Sequence, residues 1–171
     1  MLRHGKSDWS DDALDDFDRP LAKRGRKAVK RMARWLRTEG LLPARVVSSP
    51  ALRAEQTTRR LCRFAGIPES AVSWREAIYE ADLRTLLEVL ADCEAAGGRL
   101  LMVGHNPGFE DLVAYLTGGD IDAPDNDSEH NSAFPTAALA RLELPDRWDR
   151  LERGSAVLVE LVRPRDLERR T

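Results

Sequence analysis

The sequence predicts an α/β fold: a single-domain, three-layer sandwich with a mainly parallel central sheet, helices on both faces and an antiparallel strand at one edge. Three observations predict it. Short apolar, strand-like segments alternate with amphipathic helical ones along the chain, the order that lays helices over a parallel sheet. Leu100-Leu101-Met102-Val103 is an unbroken apolar run, as in a strand covered on both faces. Near the end, Ala137–Leu144 and Ala156–Val162 are strand candidates joined through Pro145-Asp146-Arg147.

Each element has its own local reason. Met1-Leu2 is the first apolar pair, and a block of acids follows it: Asp8, Asp11, Asp12, Asp15, Asp16 and Asp18. A block of bases comes next, from Arg19 through Lys23, Arg24, Arg26, Lys27, Lys30, Arg31, Arg34 and Arg37. The acids read as a loop and the bases as the solvated face of a helix, a face that could dock an acidic partner. Val29, Met32, Ala33 and Leu36 recur at i, i+3, i+4 and i+7, which gives that helix a buried stripe, and Gly40 ends it. Val46-Val47-Ser48-Ser49 reads as a strand running into a turn. Pro50 suits a first helical turn with Ser49 as its cap, and the helix runs to about Ala65. Val72-Ser73-Trp74 is a third strand. Leu83, Leu86, Leu87, Leu90 and Cys93 mark an amphipathic helix stopped by Gly97-Gly98. A short helix from Phe109 to Leu116 ends at Gly118-Gly119, Asp120–Phe134 is polar and irregular, and Trp148 packs near the last strands.

Composition narrows the function. With 171 residues the chain fits one domain, residues 1–171, and a fold of that size removes roughly 70% of its extended surface from water. Hydrophobic residues are 42%, charged residues 33% and mean hydropathy is −0.46, an ordinary soluble composition. A net charge of −2 argues against a general nucleic-acid binder. No run approaches 18 apolar residues and no apolar signal region opens the chain, so neither membrane nor nucleic acid is expected as a partner and the expected location is the cytoplasm. Cys62 and Cys93 fall in helical stretches and read as reduced core residues. Nothing in the sequence speaks to oligomeric state.

Ligands of parallel sheets bind beyond the carboxyl ends of the strands. Arg3-His4-Gly5 follows the first apolar pair, Arg53 lies in the first turn after the second strand, Glu76 follows the third, and Gly104-His105-Asn106 follows the fourth. Singly, each has a plainer use: a packed histidine, a solvated arginine, an exposed glutamate. Together they share one chemistry. Arginines hold a phosphoryl group with forked donors, and a helix N-terminus such as the one bearing Arg53 adds N–H groups. A neutral imidazole can attack phosphorus while a second, protonated one stabilises the equatorial oxygens. Gly5 is expected to let the phosphate approach closely. A metal is the other use of His4 and His105, but the adjacent arginines repel a cation, so no metal and no other cofactor is expected.

At these residues the chain resembles the histidine phosphatase superfamily, specifically its small SixA-type phosphohistidine phosphatase branch. The resemblance is carried by Leu2-Arg3-His4-Gly5-Lys6-Ser7-Asp8-Trp9, Asp18-Arg19-Pro20-Leu21, Arg24-Gly25 and Ser48-Ser49-Pro50-Ala51-Leu52-Arg53-Ala54-Glu55-Gln56-Thr57. It continues in Leu101-Met102-Val103-Gly104-His105-Asn106-Pro107-Gly108 and Pro135-Thr136-Ala137-Ala138-Leu139. The resemblance implies that His4 is the nucleophile and becomes phosphorylated. It also implies that Arg3, Arg53 and His105 form the phosphate pocket, that water hydrolyses the intermediate, and that no cofactor takes part. The general acid would follow the third strand, at Glu76 or, as alternate, Glu80. The family has a full strand before Arg-His-Gly, whereas only Met1 and Leu2 precede it here. A two-residue strand would leave its sheet neighbours poorly paired, so either the chain begins late or the central strand is cut short at a cost in stability. The short connection between Arg53 and Glu76 predicts an open pocket, able to admit a phosphohistidine on a partner protein's surface. It would equally admit a small phosphomonoester, and a non-catalytic phospho-binding protein is the further alternative.

Overall fold

A computed structural model describes residues 1–93, 98–119 and 133–168. Six strands form one sheet: β1 (Leu2–Arg3), β2 (Arg45–Ser48), β3 (Val72–Trp74), β4 (Leu100–Gly104), β5 (Leu139–Glu143) and β6 (Val157–Val162). Their order is β3-β2-β4-β1-β5-β6. The first four in that order run parallel, and β5 pairs antiparallel with both β1 and β6. The sheet is thus the predicted mainly parallel one, and its antiparallel edge is a pair of strands.

Alternation along the strands divides the core between two faces. Leu2, Val46, Leu101 and Val103 pack with Val29, Met32, Ala33 and Leu36 of α1 (Lys23–Thr38) and with Ala54 and Leu61 of α2 (Leu52–Ala65). Leu167 of the short, unforeseen α5 (Pro164–Glu168) joins that cluster. Val47 and Met102 point the other way, onto Leu86, Val89 and Leu90 of α3 (Leu83–Cys93) and Leu112, Val113 and Leu116 of α4 (Gly108–Thr117). One residue of register therefore decides which layer a side chain serves. The spacing of α1 delivers the stripe it predicts, and Gly40, at φ +65°, takes the chain out of the helix at no steric cost. Cys62 and Cys93 are free and buried, and Trp148 packs on the second cluster. Among the described residues no helix is long and apolar enough to cross a membrane. Residues 94–97 and 120–132, which include Gly97 and most of the polar stretch, lie outside the described residues.

β1 is short but paired on both sides, in register Leu2↔Val103 and Arg3↔Gly104 on β4 and Leu2↔Leu139 on β5, and the Ala140 N–H donates to the Met1 carbonyl at 2.9 Å. Near the amino end of β4 a cavity of about 330 Å³ is lined by Leu100, Leu101 and Met102 and by Leu139, Ala140 and Leu142. The Met1 amine donates to the Ala140 carbonyl at 2.6 Å, and burial lowers its pKa to about 5. At the opposite, carboxyl ends of the same strands lie the histidines.

Candidate active site

The four residues predicted to hold phosphate converge. His4 leaves β1 with its N–H donating to the Gly104 carbonyl at 3.0 Å, so the first strand and the fourth fix each other's ends. The His4 and His105 ring centroids are 5.0 Å apart, the planes tilted by 49°. Nδ1 of His4 lies 2.7 Å from the Gly5 carbonyl, an acceptor only, so Nδ1 carries the proton and Nε2 keeps its lone pair. Toward that lone pair Arg53 directs its Nε–H, at 3.4 Å. His105 Nε2 is 2.8 Å from Ser49 Oγ, and its buried Nδ1 has no hydrogen-bond partner among the described residues. Arg3 donates through Nη1 to the Phe134 carbonyl at 2.9 Å, which Asn106 Nδ2 also reaches at 3.1 Å.

His4, Arg53 and His105 are each 7% exposed. Burial pushes His4 down to about 3, and His105, Arg53 and Arg3 push the same way against the Gly5 hydrogen bond. His105 is likewise lowered to about 3, by burial first and then by Arg53, with Asp16 opposing. Both rings are therefore neutral at neutral pH, because an apolar surround penalises the charged form and two guanidiniums repel a further cation. In the pocket without phosphate, burial and Arg53 thus disfavour a proton on the second imidazole, and the fixed positive charge there comes from the arginines.

Two local readings also change. Ser49 does not cap α2, whose N-cap, Ala51, makes no side-chain bond. Ser49 instead takes the Ala51 N–H at 3.3 Å and holds His105. A side chain at Gly5 would meet Val29 and Leu21 at 3.0 and 3.1 Å, in the core, so the glycine there serves packing against α1 and not the approach of phosphate. Gly25 is tighter still, its absent Cβ falling 2.4 Å from the Lys6 carbonyl. The loop after His4 is also tied to α2, because Gly5 N–H donates to Thr57 Oγ1 at 2.9 Å and Thr57 donates to the Arg53 carbonyl at 2.7 Å.

Glu76 opens a 3-10 turn (Glu76–Ile78) after β3, at the same end of the sheet. Its side chain is exposed and makes no hydrogen bond or ion pair among the described residues; Glu80, at φ +49°, is exposed as well. A different carboxylate reaches the cluster. Asp16, in the 3-10 turn Asp16–Asp18, accepts from Arg53 Nη2 through Oδ2 at 2.8 Å, and its main-chain carbonyl accepts from Nη1. Tyr79 O–H donates to the same Oδ2 at 3.0 Å. Burial raises the Asp16 pKa, but the hydrogen bonds from Arg53 and Tyr79 outweigh it and hold the carboxyl below its usual range. The Tyr79 ring stands edge-on to His105 and to Phe17, at 5.5 and 5.0 Å. Neither residue stands out in the sequence: Asp16 is one of six acids in a row of loop residues, and Tyr79 sits in a stretch read only for glutamates.

No group of three or more His, Cys, Asp or Glu side chains gathers as a metal ligand set among the described residues. The arrangement can accept a tetrahedral anion between two guanidiniums and two neutral imidazoles, with one bare imidazole nitrogen facing it. A sequence model described as the histidine phosphatase superfamily (branch 1) matches residues 1–86. The chain belongs to that superfamily. Within it the chain falls in the SixA-type branch and is a phosphatase. It is 31% identical to the phosphohistidine phosphatase SixA of Escherichia coli over 85% of this chain and 84% of that protein. An uncharacterized protein of Mycobacterium leprae is 32% identical, over 96% of this chain and 100% of its own length. Among solved structures, a putative phosphohistidine phosphatase SixA from Agrobacterium tumefaciens superposes with a TM-score of 0.77 at 25% identity, covering 95% of both chains. For a histidine phosphatase the sheet order has a plain use, since it brings the ends of β1 and β4 side by side and with them both histidines.

Proposed function

We propose that this histidine phosphatase removes phosphate from phosphohistidine on a partner protein, without metal, through a phosphoryl intermediate on His4. The observation that carries the reading is the unprotonated Nε2 of His4 with the Arg53 Nε–H directed at it from 3.4 Å. His4 Nε2 attacks phosphorus, the bond from phosphorus to the leaving nitrogen breaks, and that nitrogen takes a proton. Water then attacks the same phosphorus, inorganic phosphate departs with the added oxygen, and Nε2 recovers its lone pair. Arg3 and Arg53 supply the fixed charge that a metal would otherwise bring to the equatorial oxygens, and His105 donates an N–H. Residues 1–171 act as one catalytic domain in this reading.

The phosphoramidate substrate rests on likeness to a protein named for that activity and on the chemistry of its leaving group. A phosphoramidate nitrogen is protonated more readily than the bridging oxygen of a phosphate ester, which suits a site whose Glu76 stands exposed with no side-chain partner among the described residues. Glu76 is the proposed proton donor where the leaving group is an oxygen. The basic face of α1 would steer an acidic partner, so the rate should fall with added salt. The test is a turnover panel run with a chelator present: a histidine-phosphorylated protein against small phosphomonoesters, with His4→Ala as control. Turnover of the phosphoprotein that survives chelation and vanishes in His4→Ala is the expected result. Monoesters turned over faster by orders of magnitude would make this a phosphatase of small metabolites.

A further inference from the structure

We propose that Asp16 is a positioning residue: by clamping one edge of the Arg53 guanidinium it aims the other edge at the phosphoryl group held in front of His4. The inference rests on the reading of His4 as nucleophile and Arg53 as phosphate ligand. A guanidinium is a rigid plane with donors in fixed directions, so fixing one edge fixes the other. Asp16 takes the end edge, with its carbonyl on Nη1 and its Oδ2 on Nη2 at 2.8 Å. The side edge, made of Nε–H and the second N–H of Nη2, is left facing His4, and Nε lies 3.4 Å from the lone pair of His4 Nε2. Two parallel N–H groups on that edge match two oxygens of one phosphoryl group.

Two further features support a clamp. Tyr79 donates to Oδ2 at 3.0 Å while its ring stands against His105, so one side chain fixes the carboxylate and borders the second histidine. The clamp also closes from the rim: the Asp16 side chain is 44% exposed and that of Arg53 only 9%, so the acid reaches inward from the loop rather than filling the pocket floor. Were Asp16 instead an anion occupying the phosphate's place, it would have to hold the edge of Arg53 that faces His4, and it holds the adjacent end edge.

The experiment is steady-state kinetics on 4-nitrophenyl phosphate with wild type, Asp16→Ala, Asp16→Asn, Tyr79→Phe, Arg53→Ala and the Asp16→Ala/Arg53→Ala double variant, each checked for folding by circular dichroism. Asp16→Ala should lower kcat about tenfold or more with KM within about threefold, since a misaimed charge is lost mainly in the transition state. Asp16→Asn keeps an oxygen for Nη2 and should recover most of the rate, whereas Tyr79→Phe should lose about two- to threefold. In the Arg53→Ala background, Asp16→Ala should cost less than about twofold, because its action passes through Arg53. An undiminished tenfold cost in that background, or a fall in KM with kcat unchanged, overturns the clamp. So does an unaltered rate in Asp16→Ala when Arg53→Ala is impaired. Should Asp16→Ala fail to fold, Asp16→Asn and Tyr79→Phe decide alone, and a wild-type rate in Tyr79→Phe overturns the clamp. Activity that persists in His4→Ala would instead strike the phosphatase reading on which the clamp rests.

Discussion

Replacing either buried histidine should flatten the acid sensitivity of this fold by a calculable amount. His4 and His105 both sit near 3 in the folded chain, against 6.5 when free. A group with a depressed folded pKa stabilises the fold above its unfolded pKa. As pH falls below 6.5 the unfolded chain takes up the proton and the folded one does not, so stability drops until about pH 3. Between pH 7 and pH 5 the free-energy difference from one such histidine is about 2 kcal/mol. Wild type should therefore lose about 2 kcal/mol more over that window than His4→Asn, and as much more than His105→Asn. Carboxylates titrate mostly below the window, and the buried Met1 amine, also lowered, contributes equally to all three proteins. Urea unfolding at the two pH values measures the difference directly. Equal losses in wild type and His4→Asn would mean that the ring is free to take a proton in the fold. The neutral nucleophile would then lose its physical basis.

Three further outcomes test other parts of the site. Arg53→Ala should lower kcat/KM by about 10²-fold, since a preorganised charge is removed from the transferring group; activity within a factor of two of wild type would contradict its role. Gly25→Ala should cost roughly 2–3 kcal/mol in urea unfolding and slow turnover, because its Cβ would fall 2.4 Å from the Lys6 carbonyl, a backbone atom that cannot yield without moving the His4 loop. Gly119→Ala, with nothing within 4 Å of its Cβ, is the matched control, and equal stabilities would contradict the packing argument. Glu76→Gln should slow an alkyl phosphomonoester about tenfold and a phosphoramidate less than threefold, and equal effects on both would remove Glu76 as proton donor.

The fold was readable because period and strand order are local signals. Val29, Met32, Ala33 and Leu36 announce α1, and the apolar run at Leu100 announces a strand covered on both faces. The convergence of His4, Arg53 and His105 was readable because each lies just beyond a strand, where parallel topology gathers side chains. What escaped was pairing decided in three dimensions. Ser49 looks like a helix cap and turns out to hold His105, since the chain runs two residues further before α2 begins. Six neighbouring aspartates look equivalent, and only the 3-10 turn at Asp16–Asp18 determines which one meets Arg53. The charge state of His105 depends on burial and on guanidiniums distant in sequence, which lower its pKa in the fold.

The nucleophilic role of His4 is tested most directly by where the phosphoryl group goes. Rapid acid-free quenching of the protein during turnover, followed by phosphorus NMR and peptide mapping, should find a phosphoramidate on Nε2 of His4 and none in His4→Ala. A chiral phosphate substrate should accordingly show retention at phosphorus, the product of two displacements. Inversion, or a phosphoryl group trapped on any other residue, would contradict it.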